Sequence, residues 1–188
     1  MTSELLTLGL QPAVHTHDVR DGRVVRHPRS YFLDFLVDGV SFSNLAHVDR
    51  NLVTALNRSV WADISGAVET LLGRRPAPYL DAGRIPLLVC GSCGELECGA
   101  VTAALHVGAT EVTWSDFRWD QGNISGPEPI DSLCAPLRFD RVQYGAELAD
   151  VGLRVADLPD DEPLFSRPPH RGRRLRWPWQ RSEDDRRP

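Results

Sequence analysis

Two stretches whose apolar residues recur at every second position lie on either side of Gly108-Ala109. The second is "TEVTWSDFRW", and in the first a single side collects Gly99, Val101, Ala103, Leu105 and Val107, with Cys98, Ala100, Thr102, Ala104 and His106 on the other. A period of two is that of a β-strand, whose successive side chains point to opposite faces. Because Gly108-Ala109 can turn the chain, the pattern predicts an antiparallel pair of strands with one core-facing side.

Further strands are predicted upstream of this pair. "ELLTLGL" alternates as a strand does, and "YFLDFLVDGVSF" places Asp38-Gly39 between two apolar runs. Asp-Gly suits the positive φ angles of a type I′ turn, so this stretch predicts a β-hairpin. "IPLLV" is a short apolar run typical of a buried strand, and it leads directly into a group of cysteines.

Helical spacing occurs in two places. Between Asn51 and Leu72, apolar residues recur at i, i+3 and i+7 in the two sets Val53, Leu56, Val60 and Trp61, Ile64, Val68, Leu71. This spacing predicts one long or two short amphipathic helices, ended by Gly73 and Pro76. Near the end of the chain, Asp140 and Gln143 precede a helical spacing of Tyr144, Leu148 and Val151, which predicts a helix capped by Asp140 in a capping box.

The order of these elements indicates the fold class. Strands come before and after helices without a regular strand-helix-strand alternation, which predicts an α+β domain: an antiparallel β-meander sheet with two or three packed helices. A chain of 188 residues, 41% of them hydrophobic, is long enough for one sizeable core. Residues 1–164 are predicted to form this domain. Residues 165–188, rich in Arg, Pro and Trp, are predicted to be a disordered tail that folding does not require.

Charge is unevenly distributed between these two parts. All 21 basic residues are arginines, and the whole chain has a net charge of −5. The tail from Pro168 carries seven arginines against three acidic residues, so the body before it is strongly acidic. An acidic body argues against specific nucleic-acid binding by the folded domain. The tail has Trp177 and Trp179 among its arginines, and we expect it to make no more than a weak contact with an anionic partner.

The beginning of the chain contains neither a basic segment followed by an apolar run nor an apolar stretch long enough to cross a membrane. We therefore expect no membrane span and a cytoplasmic protein. Thiols stay reduced in that compartment, so clustered cysteines favour metal binding or redox chemistry over structural disulfides.

Three of the four cysteines lie in "VCGSCGELECGA", here called the cysteine loop (residues 90–98). Cys90, Cys93 and Cys98 predict a zinc site, because a C-x-x-C pair followed by Gly94 is typical of a zinc knuckle. A structural zinc ion takes four ligands, and we expect the fourth to be Cys134, the only remaining thiol, or a residue that the sequence does not identify. His106 is a poor fourth ligand, since on a strand it would lie roughly 26 Å from Cys98.

Two other interpretations of the cysteine loop stay open. The first is a thiol-dependent oxidoreductase that uses the Cys90–Cys93 pair, which requires a cation or a helix N-terminus to lower the pKa of a thiol. No Arg occurs between Arg84 and Arg118, and Glu95 and Glu97 adjoin the thiols, so the sequence gives this chemistry little support. The second is an inert turn in which the cysteines pack as small apolar residues.

Other candidate sites are weaker. His15 and His17 in "HTHD" would lie about 6.6 Å apart on one side of a strand, close enough to share a metal ion. The aromatic residues Trp114, Phe117 and Trp119 form either a surface for ligand stacking or part of the core, of which the second is commoner. The sequence contains no nucleotide-binding, flavin-binding, serine-hydrolase or zincin motif.

Three segments together, "PLLVCGSCGELECGAVTAAL", "VTWSDFRW" and "LRFDRVQY", resemble a family of small, uncharacterised bacterial proteins that is common in actinobacteria and sometimes labelled oxidoreductase. The resemblance covers roughly residues 5–151 and implies no ligand or activity. From the residues themselves we expect a non-catalytic module that binds an unknown protein partner, with structural zinc in the cysteine loop. A thiol oxidoreductase is the alternative.

Overall fold

The computed structural model describes residues 4–20, 23–48, 51–57, 63–91, 93–94, 98–121 and 126–162. Nine strands lie within these residues: β1 Leu8–Arg20, β2 Arg23–Val37, β3 Val40–Ser41, β4 Leu52–Thr54, β5 Arg84–Cys90, β6 Ala100–Val107, β7 Glu111–Asp120, β8 Glu128–Pro129 and β9 Leu137–Asp140. They also contain four α-helices and a 3₁₀ helix: α1 Phe42–Ala46, α2 Ile64–Leu71, α3 Arg141–Leu148, α4 Val151–Ala156 and the 3₁₀ helix Asp131–Leu133. The predicted tail lies outside the described residues, so the domain boundary at residue 164 stays a prediction.

All of the strands pair in an antiparallel manner within two sheets. β1, β2 and β3 form one sheet, and β4, β5, β6 and β7 pair in chain order in the other. β8 and β9 both pair with β7, β8 near the end of β7 and β9 near its beginning. The predicted α+β class with an antiparallel meander is therefore confirmed, and the cysteine loop connects the neighbouring strands β5 and β6.

Two isolated bridges join the sheets to each other. Phe32 of β2 bridges Asn57, which follows β4, and Leu6, which precedes β1, bridges Phe139 of β9. Each bridge is accompanied by a backbone hydrogen bond, of 3.0 Å from Leu33 N–H to the oxygen of Leu56 and of 2.7 Å from Leu6 N–H to the oxygen of Arg138. Strand pairing thus runs in a closed circuit through β1, β2, β4, β5, β6, β7 and β9, which covers part of both edges of the larger sheet.

The hairpin predicted at Asp38-Gly39 is confirmed. β2 ends one residue before Asp38 and β3 begins one residue after Gly39. The φ angles are +49° at Asp38 and +79° at Gly39, which is the left-handed pair that a type I′ turn requires. The Asp38 carboxylate also accepts a hydrogen bond of 2.7 Å from the backbone of Thr7, so the turn is tied to the start of β1.

Trp114 lies at the centre of the main core and is fully buried. Four aromatic rings contact it with centroid distances of 5.0 to 6.0 Å and steep interplanar angles, those of Phe35, Phe42, Phe139 and Tyr144. Its indole N–H donates to the Tyr144 hydroxyl at 3.2 Å, and that hydroxyl donates to the oxygen of Leu71 at 2.9 Å. Phe117 is also buried and Trp119 packs against the core, so the packing interpretation of these aromatic residues is confirmed.

The prediction that β6 has one core-facing side is wrong for its first half. Residues 100–103 are all fully buried, although they alternate between the two faces. Val101 belongs to the main core, whereas Ala100 packs in a second cluster on the opposite face, with Phe32, Val53 and Val89. Thr102 accepts a hydrogen bond of 2.7 Å from the guanidinium of Arg84. Phe32 of the hairpin therefore covers Ala100, on a face that the alternation alone assigned to solvent.

The predicted helix at residues 51–57 is also wrong, because this segment contains strand β4. Val53 pairs with Val89 of β5, and the long-range pairing outweighs the local helical spacing. The second half of the prediction is confirmed by α2, whose first turn is capped by Asp63 accepting from the Gly66 N–H at 2.7 Å. Gly73 follows with a φ of +69°, as a helix end requires. Val60 and Trp61 lie outside the described residues.

Helix α3 begins as predicted, with one difference. The Asp140 carboxylate accepts hydrogen bonds of 2.9 Å from the N–H groups of Val142 and Gln143, which confirms the N-cap. The Gln143 side chain does not complete a capping box, because its amide group accepts from the Leu8 N–H at 3.2 Å and donates to the oxygen of Leu8. Gln143 thereby ties α3 to β1.

Asp34 is a buried carboxylic acid on β2, only 4% exposed. Burial raises the pKa of Asp34, against the opposing effect of hydrogen bonds from Ser41 and from the Phe35 N–H. Within the described residues its Oδ1 has no hydrogen-bond partner. A raised pKa in the folded state means that folding stability falls as pH rises through that pKa, because the native state then holds the proton more tightly than the unfolded state does.

We therefore expect Asp34→Asn to be more stable than the wild type near neutral pH and to lose that advantage in acid. The neutral amide fills the same volume without a charge that has to be desolvated. Urea unfolding at pH values between about 3 and 7 measures the difference in free energy of unfolding between the two proteins. A difference that does not change with pH, or that shrinks as pH rises, would contradict the expected desolvation effect.

Candidate metal centre

The first residue of the cysteine loop, Cys90, is held in place by the sheet. Cys90 is the last residue of β5 and pairs with Leu52 of β4. The next residue, Gly91, donates its N–H to the oxygen of Asn51 at 2.9 Å and accepts a hydrogen bond of 3.4 Å from the Ser30 hydroxyl. Strand β2 and the segment before β4 thus fix the backbone beside this thiol, and the Cys90 side chain is half-buried.

A tight turn brings Cys93 back toward Cys90. The Gly94 N–H donates to the oxygen of Cys90 at 2.9 Å, which closes a single turn of backbone. Gly94 has a φ of +72°, a conformation that is unfavourable for residues with a Cβ atom. The glycine that follows the C-x-x-C pair therefore has the role expected from the sequence.

The backbone next to Cys98 is constrained by the close approach of Gly99 to a neighbouring strand. Gly99 has a φ of +106°, and a Cβ atom at this position would overlap the indole ring of Trp119. Trp119 lies on β7 and pairs with Val101 of β6. Only a glycine fits between Cys98 and the start of β6 in this geometry, so the path of the backbone at Cys98 depends on the register of β6 and β7.

The three sulfur atoms are close together. The Sγ atoms of Cys90, Cys93 and Cys98 all lie within 4.8 Å of one another, and those of Cys93 and Cys98 are 3.3 Å apart. Ligand sulfurs placed tetrahedrally at about 2.3 Å from one zinc ion are separated by roughly 3.8 Å. The three thiols therefore lie near the spacing of a single thiolate-bound metal ion, with Cys93 and Cys98 about half an ångström closer than that. This is the one group of three or more Cys, His or acidic ligands that the described residues bring together.

The other candidate ligands are not part of this group. Cys134 is exposed and follows the 3₁₀ helix, outside the set of three sulfurs. His106 is exposed near the far end of β6, as expected for a residue unsuited to be a ligand. A bulge interrupts the pairing of β1 between His15 and His17, and the ring of His15 lies 5.5 Å from that of His27.

The nearest arginines in the sequence on either side of the loop bind a carboxylate. Arg84 contacts Asp116 at 2.9 Å and Arg118 contacts the same carboxylate at 2.7 Å. Arg118 also pairs with Thr102, four residues beyond Cys98 on β6. Asp116 itself has a φ of +50° at a bulge in β7. These cations are committed to a network on the sheet, which agrees with the weak support that the sequence gives to a C-x-x-C redox mechanism.

Comparison with family models, curated proteins and solved structures gives no match for this chain. The resemblance to an uncharacterised bacterial family stays a prediction. No helix in the described part of the chain is both long enough and apolar enough to cross a membrane. The features of the chain that bear on function are the cysteine loop and the strands that hold it.

Proposed function

We propose that this protein is a non-catalytic module that holds one zinc ion on Cys90, Cys93 and Cys98. The observation that supports this proposal is the approach of the three Sγ atoms to within 4.8 Å of one another at the junction of β5 and β6. Thiolates are the ligands that zinc prefers in structural sites, and a divalent cation offsets their mutual repulsion. Copper(I) is the other common ion with the same ligand preference, and metal analysis separates the two.

The position of the thiols supports a structural role for the ion. Cys90 ends β5, whereas Cys98 lies two residues before the start of β6. An ion bound to both would cross-link the ends of neighbouring strands and close the loop between them. Because the unfolded chain has no preformed site, the free energy of metal binding would add to the stability of the fold.

The fourth ligand is a separate part of the proposal. We propose Cys134, as the only other thiol of the chain, and the alternative is a ligand from solution at a site that faces solvent through Cys93 and Cys98. A role in binding a protein partner stays a prediction, since it follows from the sequence alone. A thiol oxidoreductase that uses Cys90 and Cys93 is the alternative function.

Protein purified under reducing conditions, without a tag that binds metals, is expected to contain about one equivalent of zinc. Cys93→Ser is expected to lose this zinc and to lower the Tm by roughly 5 °C or more, which corresponds to a loss of about 2 kcal/mol for a domain of this size. Elemental analysis and thermal unfolding, each with and without a chelator, measure both effects.

Cys134→Ser tests the fourth ligand within the same experiment. Loss of affinity for zinc in this variant supports Cys134, whereas unchanged zinc content and affinity assign the fourth position to another ligand. A wild-type protein with four freely titrating thiols, no metal after incubation with zinc and a Tm unaffected by a chelator would overturn the proposed function.

A further inference from the structure

Two of the three clustered thiols are close enough to react with each other. The Sγ atoms of Cys93 and Cys98 are 3.3 Å apart, and both side chains are exposed. We propose that oxidation joins Cys93 and Cys98 in a reversible disulfide that expels the metal ion, which makes the cysteine loop a redox-controlled zinc site. This inference rests on the proposed function for the ion and adds its control by oxidants.

Metal binding and disulfide formation require different distances between the same two atoms. A zinc ion holds its ligand sulfurs roughly 3.8 Å apart, whereas a disulfide joins them at about 2.05 Å. The observed separation of 3.3 Å lies between these values. A glycine directly follows each of the two cysteines, Gly94 after Cys93 and Gly99 after Cys98. The two states therefore exclude each other at one pair of sulfurs.

Cys93 and Cys98 are better placed to form the disulfide than the two cysteines of the C-x-x-C pair. Cys90 is half-buried and belongs to β5, where it pairs with Leu52. The N–H of Gly91 is bonded to the oxygen of Asn51, so a large movement of Cys90 would cost sheet hydrogen bonds. Cys93 and Cys98 lie in the connection between the strands and are accessible to an oxidant from solution.

The chemistry balances with a hydroperoxide as the oxidant. One thiolate attacks the distal peroxide oxygen, the O–O bond breaks, and a proton converts the departing alkoxide or hydroxide into an alcohol or water. The sulfenic acid formed on the first cysteine is then attacked by the second thiolate. The S–O bond breaks, the S–S bond forms, and a further proton carries the hydroxide away as water. Two electrons pass from the two sulfurs to the peroxide.

The reverse step needs a dithiol or two monothiols as the reductant. One reductant thiolate attacks a disulfide sulfur to give a mixed disulfide, and a second reductant thiol releases the cysteine. Both protein thiols are then restored and the reductant leaves as its own disulfide. In the oxidised state only Cys90 of the three grouped ligands is available to the ion, too few for a stable thiolate site.

The test starts with reduced protein whose zinc content has been measured, treated with hydrogen peroxide in the presence of a colorimetric zinc indicator. We expect release of nearly all bound zinc, a mass loss of two hydrogens per chain, and a peptide map that links Cys93 to Cys98. Addition of dithiothreitol and zinc should restore both the mass and the bound metal. Retention of zinc after oxidation, or a disulfide that includes Cys90 or Cys134, would overturn the inference and leave the proposed zinc site intact.

Three variants distinguish the two cysteines that form the disulfide from the three that bind the metal ion. Cys90→Ser is expected to form the Cys93–Cys98 disulfide with peroxide, whereas Cys93→Ser and Cys98→Ser are expected to lose it completely. An intramolecular disulfide in either of the last two variants would count against the assigned pair. If the reduced wild-type protein binds no zinc, the proposed function fails at the first step, and release of metal by oxidation fails with it.

Discussion

Trp114→Ala is expected to lower the free energy of unfolding by about 4 kcal/mol, the range typical of a large aromatic residue removed from a core. The side chain is fully buried among the rings of Phe35, Phe42, Phe139 and Tyr144. Its loss would leave a cavity where the main sheet and the hairpin meet, and it would remove the hydrogen bond to the Tyr144 hydroxyl. Urea unfolding monitored by circular dichroism gives the change directly.

Trp114→Phe and Tyr144→Phe are the matched controls for this experiment. Trp114→Phe keeps an aromatic ring but removes the N–H donor, and Tyr144→Phe removes the hydroxyl that bonds the oxygen of Leu71. Each is expected to cost about 1 to 3 kcal/mol, less than the alanine variant. A Trp114→Ala protein as stable as the Trp114→Phe protein would show that the core closes around the cavity. That result would contradict the central packing role of Trp114.

Gly99→Ala is expected to destabilise the protein by about 3 kcal/mol, from the positive φ of +106° and from overlap of the new Cβ with the Trp119 ring. Because Gly99 adjoins Cys98, the same change should displace one of the three grouped thiols and weaken zinc binding. Urea unfolding and a zinc titration against a competing chelator measure the two consequences in a single preparation.

Gly83→Ala is the control that separates the cost of a positive φ angle from the cost of overlap with the Trp119 ring. Gly83 has a φ of +81° and open space where a Cβ would be placed, so this variant is expected to cost only about 1 kcal/mol and to leave zinc affinity unchanged. Equal destabilisation by the two substitutions would show that the Trp119 ring moves aside easily. Normal zinc affinity in Gly99→Ala would show that the path of the backbone at this glycine does not position Cys98.

Short-range patterns predicted the elements whose structure is decided locally. Asp38-Gly39 specifies its turn through two positive φ angles, and Asp140 caps α3 through a carboxylate two and three residues from its donors. The β6–β7 pair also follows from alternation on both sides of a turn. In each case the residues that determine the element are neighbours in the sequence, so no distant partner is needed to predict it.

The wrong predictions concern residues whose structure depends on a distant segment of the chain. Val53 belongs to β4 because β5 is available to pair with it, more than thirty residues further along the chain. On the second face of β6, Thr102 is buried and bonded to the Arg84 guanidinium, and Ala100 packs against Phe32 of the hairpin. An alternating pattern identifies a strand but does not state how many of its faces are covered, and that is where the one-sided prediction failed.

The candidate site likewise contains features that were predictable from local sequence and features that depend on distant strands. The C-x-x-C spacing indicated that Cys90 and Cys93 would lie together, because the turn at Gly94 is local, and in the structure Cys98 joins them. The contact between Gly99 and Trp119 and the hydrogen bond between Ser30 and Gly91 depend on strand register and were not predictable from the loop. The glycine after Cys98 was the only local signal of a close approach there, and it did not identify the neighbouring residue.

The closed circuit of strand pairing has a consequence for synthesis on the ribosome. The first strand is joined to the last elements of the fold by the Leu6–Phe139 bridge and by the bond between Leu8 and Gln143, 135 residues apart in the sequence. Folding rates fall as contacts become more distant in sequence, because the loop between them has to be closed before the contact is gained. The hairpin therefore has to wait, with apolar residues such as Leu8 and Leu10 uncovered, until β9 and α3 have left the exit tunnel, and the nascent chain is most exposed to aggregation during this interval.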